Sequence, residues 1–234
     1  MKENYARQLL AKTKKDYNLI AKEFSNTRQN PWPETKFLFD KYLNPLDKVL
    51  DLGCGNGRFY PFFEKVNYLG IDYSKELIKC AREKFSQAEF QVADALNIPF
   101  KDNSFDKVFS IAVFHHIPSR ALQLKFLKEA KRVLRPNGFF VLLVWKFPFR
   151  KEKFFLIKFT ILKLLKLTKL DFRDVLEPWG KKLLRYYHLF NQKELRNLAK
   201  EAGFVIADLG LIKNSRGNRK NFYLVLKKPS SFNG

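Results

Sequence analysis

An apolar run, KVLDL at 48–52, passes without a polar linker into GCGNG, which puts glycine at every second position: Gly53, Gly55 and Gly57. A strand ending in such a loop can bring bare backbone against a ligand, because a Cβ at those positions would collide with it. A helix that follows would add its unpaired N–H groups. The spacing is GxGxG preceded by Asp51, not the GxGxxG of a dinucleotide site. From here the patterns alternate between strand and helix, the order that a parallel sheet requires. KVLDL, YLGIDYS, EFQVADAL, DKVFSIAVFHH, FFVLLVW, FVIADLG and NFYLVLKK read as seven strands. Helices are expected over 5–24, 58–65, 75–85 and 120–134, and PNG at 136–138 turns the chain into the fifth strand. The expected fold is α/β, a doubly wound, Rossmann-like sheet of seven strands. It forms a single domain over 1–234, with a helical extension at 1–46.

Between strands five and six, 150–182 reads as an insertion. Its first part, RKEKFFLIKFTILKLLKLTKL, has apolar residues broken by Lys158, Lys163, Lys166 and Lys169, which share one sector of a helix. Three readings stand for this basic amphipathic stretch. It packs on the body with its lysines solvated, it touches RNA phosphates, or it lies on a membrane surface. Net charge is +22, and residues 150–234 hold 20 Lys and Arg against seven Asp and Glu. A basic face of this kind favours a polyanion, nucleic acid before an acidic membrane, although a lysine-rich proteome would give the same excess. Only Cys54 and Cys80 occur, and a disulfide at Cys54 would obstruct the glycine loop, so a reduced, cytoplasmic protein is expected. No Cys/His spacing suggests zinc, no metal is expected, and no run has the length or apolarity of a secretory signal or a membrane span.

The D-x-G-x-G-x-G stretch from Asp51 to Gly57, with RVLRPNGFFVLLVW, resembles the class I S-adenosylmethionine (SAM)-dependent methyltransferases over residues 47–145. That resemblance implies SAM as cofactor and a set of residues to hold it. Asp51, Gly53, Gly55, Asn56 and Gly57 would form the loop around the methionine end. Asp72, beside Tyr73, would accept the ribose hydroxyls. Asp94 would accept the adenine amino group and Ala95 N–H would donate to the ring, with Ala112 a further candidate cofactor-binding residue. Taken singly, each aspartate can also be a surface residue or a helix cap.

Four further stretches resemble the tRNA wobble-uridine methyltransferases that esterify 5-carboxymethyluridine: IAKEFSNTRQNPWP at 20–33, SIAVFHHIPS at 110–119, DVLEPWG at 174–180 and LRYYHLFNQKEL at 184–195. NFYLVLKK at 221–228 is a weaker match. The resemblance implies a tRNA anticodon loop as substrate, and its eukaryotic members act with a small activator subunit, a candidate partner here. Methyl transfer from a sulfonium is an in-line displacement, and a carboxylate acceptor is already ionised, so no general base is required. A cation to orient that carboxylate is required, and Arg28 and Arg185 are the candidates, because a guanidinium grips a carboxylate bidentately. His116 is a candidate wall of the acceptor pocket, and His188 a candidate contact to base or phosphate. Either histidine can equally cap a loop. Trp32, Tyr186 and Tyr187 either stack on an extruded base or belong to the core. Lys213, Arg216, Arg219 and Lys220 in LIKNSRGNRKN form a candidate phosphate surface or a solvated hairpin tip. The alternative within this fold is methylation of a quinone-like or other small molecule.

Overall fold

The computed structural model describes residues 1–146, 151–180 and 183–230, with 151–153 as backbone. The chain opens with α1 (Glu3–Thr27) and α2 (Lys36–Tyr42) and then enters the sheet at β1 (Lys48–Leu52). There follow β2 (Asn67–Asp72), α3 (Lys75–Lys84), β3 (Glu89–Val92), β4 (Phe105–Ile111), α4 (Arg120–Val133) and β5 (Leu134–Lys146). After α5 (Lys151–Leu164) come β6 (Asp174–Trp179), β7 (Leu183–His188), α6 (Gln192–Glu201), β8 (Val205–Lys213) and β9 (Lys220–Lys227). Seven strands form one sheet in the order β3-β2-β1-β4-β5-β9-β8. β1 to β5 pair in parallel, and β9 runs antiparallel to β5 and to β8.

Strand periodicity explains why both faces need cover. Leu50, Leu52, Leu142 and Val144 join the core on one face with Phe126 of α4 and Leu195 of α6. Their neighbours Val49, Val141 and Leu143 point the other way, toward Phe39 of α2 and Ile78 of α3. Strand order reverses between β1 and β4, so the crevice for a ligand opens at the carboxyl ends of these two strands.

Several expected boundaries move. Residues 58–65 form a single 3₁₀ turn at Tyr60–Phe62, because Pro61 lacks an N–H and disfavours helical backbone in the residue before it. The fourth strand stops at Ile111. Ala112 adopts φ 62° while its N–H still bonds the Leu143 carbonyl, and a 3₁₀ turn carries Phe114–His116 away. The third strand ends at Val92, where the Asp94 carboxylate accepts the Leu96 N–H at 2.8 Å and turns the chain.

Between β5 and β8 the sequence reading placed only a helix, and the expected insertion start, Arg150, and Lys181–Lys182 lie outside the described residues. The structure adds the antiparallel hairpin β6–β7, with Asp174 opposite His188, and then α6, capped by Asn191 through the Glu194 N–H at 2.8 Å. His188 fastens these elements together. Its Nδ1 donates to Asp174 Oδ1 at 2.7 Å and its Nε2 to Glu194 Oε1 at 2.8 Å. Burial pulls the imidazole pKa down, but the two carboxylates outweigh it and raise it to about 9. A group raised from about 6.5 in the unfolded chain stabilises fully below that value and loses its contribution as pH rises through 9. Stability should therefore decline between pH 6.5 and 9. His188→Gln is expected to flatten that slope and to cost about 2–3 kcal/mol at pH 6 in denaturant unfolding. An unchanged slope in the variant would contradict the clamp.

Candidate functional site

At the carboxyl end of β1 the glycine loop is pinned to β2. The Ile71 carbonyl accepts both the Gly53 N–H at 2.8 Å and the Cys54 N–H at 2.9 Å. Asp72 Oδ2 accepts the Gly55 N–H at 3.0 Å, and its Oδ1 accepts the Ser74 N–H at 2.8 Å. The loop bends because Gly53, Gly55 and Gly57 all take positive φ. A Cβ on Gly53 would sit 2.4 Å from Val113 Cγ2, whereas one on Gly55, which lines the cavity beside it, meets no protein atom within 4 Å.

That cavity, about 240 Å³, is lined by Asp51, Gly53, Gly55, Asn56, Asp72, Tyr73, Asp94, Ala95 and Ala112, with apolar walls from Ile71, Leu77, Leu96 and Val113. Gly57 does not line it; it packs against Phe90 instead. α1 forms the roof through Leu10, Lys14, Tyr17 and Phe24. Its Asn18 Oδ1 accepts the Ser74 hydroxyl at 2.7 Å, and Lys14 Nζ lies 4.1 Å from the centre of the Tyr73 ring. Asp51 is buried, and burial raises its pKa to about 7 despite a 3.0 Å hydrogen bond from the Tyr68 hydroxyl. Asp72 is raised by burial too, against its backbone hydrogen bonds. A buried and a half-buried carboxylate facing a narrow apolar cavity suit a ligand with a cationic end and hydroxyl groups.

Arg58, which the sequence reading passed over, joins this cavity to a second one. The outer cavity is lined by Arg28, Trp32, Arg58, Trp145 and Arg219 with polar residues of 26–30. Arg58 is only 8% exposed. Its guanidinium lies 4.5 Å from the Trp32 ring centre, and Arg219 lies 4.4 Å from the same ring. Burial, then the charges of Arg28 and Arg219, lower the Arg58 pKa to about 9. Arg28 is lowered by burial and then by Arg185. Both of those guanidiniums sit against Trp179, at 4.4 Å for Arg28 and 4.1 Å for Arg185. Arg219 is matched by Glu34 at 2.5 Å, and Arg185 has Glu177 at 3.8 Å. Among the described residues, Arg28 and Arg58 have no carboxylate at ion-pair distance. Asn56 ties the two halves of the site, donating from Nδ2 to the Arg28 carbonyl at 3.0 Å.

His116 lines the first cavity, and both its nitrogens are engaged. Nδ1 donates to the Tyr186 carbonyl at 3.0 Å, so Nε2 accepts from the Tyr17 hydroxyl at 2.9 Å. Burial, then the nearby Arg185, lower its pKa to about 3, which keeps it neutral. His188 lines neither cavity; it ends β7, the strand that carries Arg185, and is held between its two carboxylates. Tyr186, whose hydroxyl donates to Asp174 at 2.7 Å, and Tyr187 are buried core residues, which decides against their stacking on a base. Trp32 faces the outer cavity. At the β8–β9 hairpin, Arg219 turns toward that cavity while Lys213 and Arg216 are exposed. The signal for Arg58 was its place directly after the glycine loop.

Comparison with known proteins bears on the same residues. Residues 50–142 match the methyltransferase-domain family. A protein of Encephalitozoon cuniculi described as a methyltransferase is 34% identical over 196 residues, 83% of this chain and 87% of that protein. A tRNA (carboxymethyluridine(34)-5-O)-methyltransferase of Saccharomyces cerevisiae is 37% identical over 132 residues, 56% of this chain and 47% of its own length. This chain thus spans about half of that second relative. A crystal structure of a SAM-dependent methyltransferase from Methanosarcina mazei superposes with a TM-score of 0.70 at 24% identity, covering 86% of this chain and all of the other, and so shares the fold.

The two loop glycines separate packing from access. Gly53→Ala is expected to cost about 2–4 kcal/mol, from the clash with Val113 added to its positive φ. Gly55→Ala is expected to cost about 1 kcal/mol, from backbone conformation alone. Urea unfolding of both variants checks this, and equal losses would contradict the geometry.

Proposed function

We propose, for a chain that belongs to the SAM-dependent methyltransferase family, that it esterifies the carboxylate of a 5-carboxymethyl-type group on a tRNA wobble uridine. The first cavity holds SAM in this reading. Asp72 accepts the ribose hydroxyls on the lone pairs its backbone donors leave, Asp94 and the Ala95 N–H take the adenine edge, and Asp51 faces the methionine ammonium. Bound there, SAM supplies an electrophilic methyl on a sulfonium. The residues of the chain then have to align an acceptor oxygen and keep water out, and the roof of α1 over the cavity serves the second need.

One observation carries the acceptor assignment: buried Arg58 bridges the two cavities and half-buried Arg28 lines the outer one, neither with a carboxylate at ion-pair distance among the described residues. A guanidinium taken out of water without an anion is costly, and an acceptor carboxylate supplies that anion in bidentate geometry. Arg185 stands beside Arg28 and orients the same group. No residue needs to remove a proton, which agrees with His116 being neutral with its acceptor nitrogen occupied by Tyr17. His188 acts at a distance, holding β7 and hence Arg185. Net charge and the exposed Lys213 and Arg216 support a polyanionic substrate over a small metabolite, and a cytoplasmic protein is the reading that goes with tRNA as substrate. A small activator subunit, as the eukaryotic members of the wobble-uridine family use, is a further expected partner.

Arg28→Ala and Arg58→Ala should each keep SAM affinity within about threefold by calorimetry while lowering turnover on tRNA by on the order of 100-fold. Turnover should also fall steeply between about 50 and 200 mM salt. Wild-type turnover in both variants would remove the guanidiniums from the acceptor site, and salt-independent turnover would favour a small-molecule substrate.

A further inference from the structure

α5 is apolar on two sides, and the described residues cover only one. On the inner side Phe155, Leu156 and Phe159 pack against Val175, Tyr187 and Leu189. On the outer side Phe154, Ile157, Ile161 and Leu164 recur at spacings of three and four, which aligns them in one stripe. They are 67%, 58%, 49% and 66% exposed. At 1.5 Å per residue the stripe is about 15 Å long. Leu165 and Leu167, also exposed, prolong it past the helix end. Lys158 on the helix and Lys166 and Lys169 past its end are exposed, Lys169 with its ammonium 5.7 Å from the Tyr5 ring, and no Asp or Glu occurs between 153 and 170. Lys163 instead points to the body, 3.6 Å from Asp171. The helix is therefore fixed in place with its apolar stripe outward, which differs from the packed, lysine-out arrangement.

The composition of the stripe decides among occupants. A second copy of this chain, seated face to face, would set lysines against lysines with no carboxylate to match them. An RNA backbone would pair with the lysines, but it offers nothing to aliphatic side chains, which neither stack nor accept hydrogen bonds. An anionic bilayer presents both chemistries in the right order, an acyl boundary for Phe, Ile and Leu and phosphates just above it for lysine. No described helix is long and apolar enough to cross a membrane, so the contact is with the surface.

We propose that the outer face of α5 seats on an anionic lipid surface, with the Phe154–Leu164 stripe at the headgroup–acyl boundary and Lys158, Lys166 and Lys169 at the lipid phosphates. The occupant is independent of which acceptor the enzyme methylates. A cytoplasmic leaflet, with its negative surface potential, is the natural partner.

The test is co-sedimentation of the full chain with vesicles of phosphatidylcholine alone or mixed with phosphatidylglycerol, at low salt and at about 0.5 M salt, where long-range attraction is screened. Ile157→Ser/Ile161→Ser/Leu164→Ser leaves every charge in place. Wild-type protein should partition onto the anionic vesicles and retain measurable binding at high salt. The triple variant should lose at least about tenfold of that salt-resistant partitioning. Lys158→Gln/Lys166→Gln should instead weaken binding mainly at low salt. Unchanged thermal midpoints in both variants confirm that the fold is intact. Equal high-salt partitioning of wild type and triple variant would overturn the proposal. So would a lipid-free dimer that the triple variant dissociates, or a stripe whose loss weakens tRNA binding and leaves vesicle binding untouched.

Discussion

Everything in the site depends on how the glycine loop is held to the end of β2. The Ile71 carbonyl takes two consecutive N–H groups and the Asp72 carboxylate takes a third, so the loop has little freedom to close over its own cavity. Asp72 also accepts the Ser74 N–H at the start of α3, and Ser74 in turn bonds Asn18 on α1. The floor, wall and roof of the cavity are thus coupled through one carboxylate. Asn56 carries the same coupling outward, because its amide fixes the Arg28 carbonyl at the place where α1 gives way to the Trp32–Pro33 segment. A displacement of the loop would be felt at the guanidinium end as well as in the first cavity.

The second organising constraint is cationic. Positive charge concentrated beside rings, and short of carboxylates, is unfavourable until an anion arrives. Trp179 and Trp32 each face two guanidiniums and reduce that cost through their π faces. The arrangement stores no base and no metal-like charge; it offers position and sign. This division of labour suits a displacement at carbon whose nucleophile is already ionised. The same reasoning explains the unlike fates of the two histidines. His116, buried and then opposed by Arg185, is kept neutral, and His188, buried but held between two carboxylates, is kept charged.

Much of this was legible in the sequence, for identifiable reasons. Central parallel strands are buried on both faces, so KVLDL and FFVLLVW stand out as apolar runs, and the glycines mark where the first of them opens onto the cavity. Asp51, Asp72 and Asp94 stood out as acidic residues at strand ends in chain order with the glycine loop, whereas Ala112 and the roles of all four rested on the family resemblance; all four line the first cavity. The hairpin β6–β7 was not legible, because DVLEPW contains a proline and LRYYH is equally plausible as a contact segment; only the pairing of Asp174 with His188 reveals it. Tyr186 and Tyr187 could not be told from base-stacking aromatics until their burial was known. Arg58 escaped notice because a single basic residue after a loop has no periodic signature, and its meaning comes from Trp32 and Arg28, some 30 residues away in sequence. The expected helix over 58–65 was lost to Pro61, a signal that was present and underweighted.

The central claim is that a carboxylate, and not a nitrogen, carbon or ribose oxygen, receives the methyl group. Transfer from methyl-labelled SAM to total tRNA of a host lacking this gene tests it, with half of the labelled RNA then treated with mild alkali. The account predicts that alkali releases the label from the tRNA as volatile methanol. Label that stays on the RNA through alkali would contradict it.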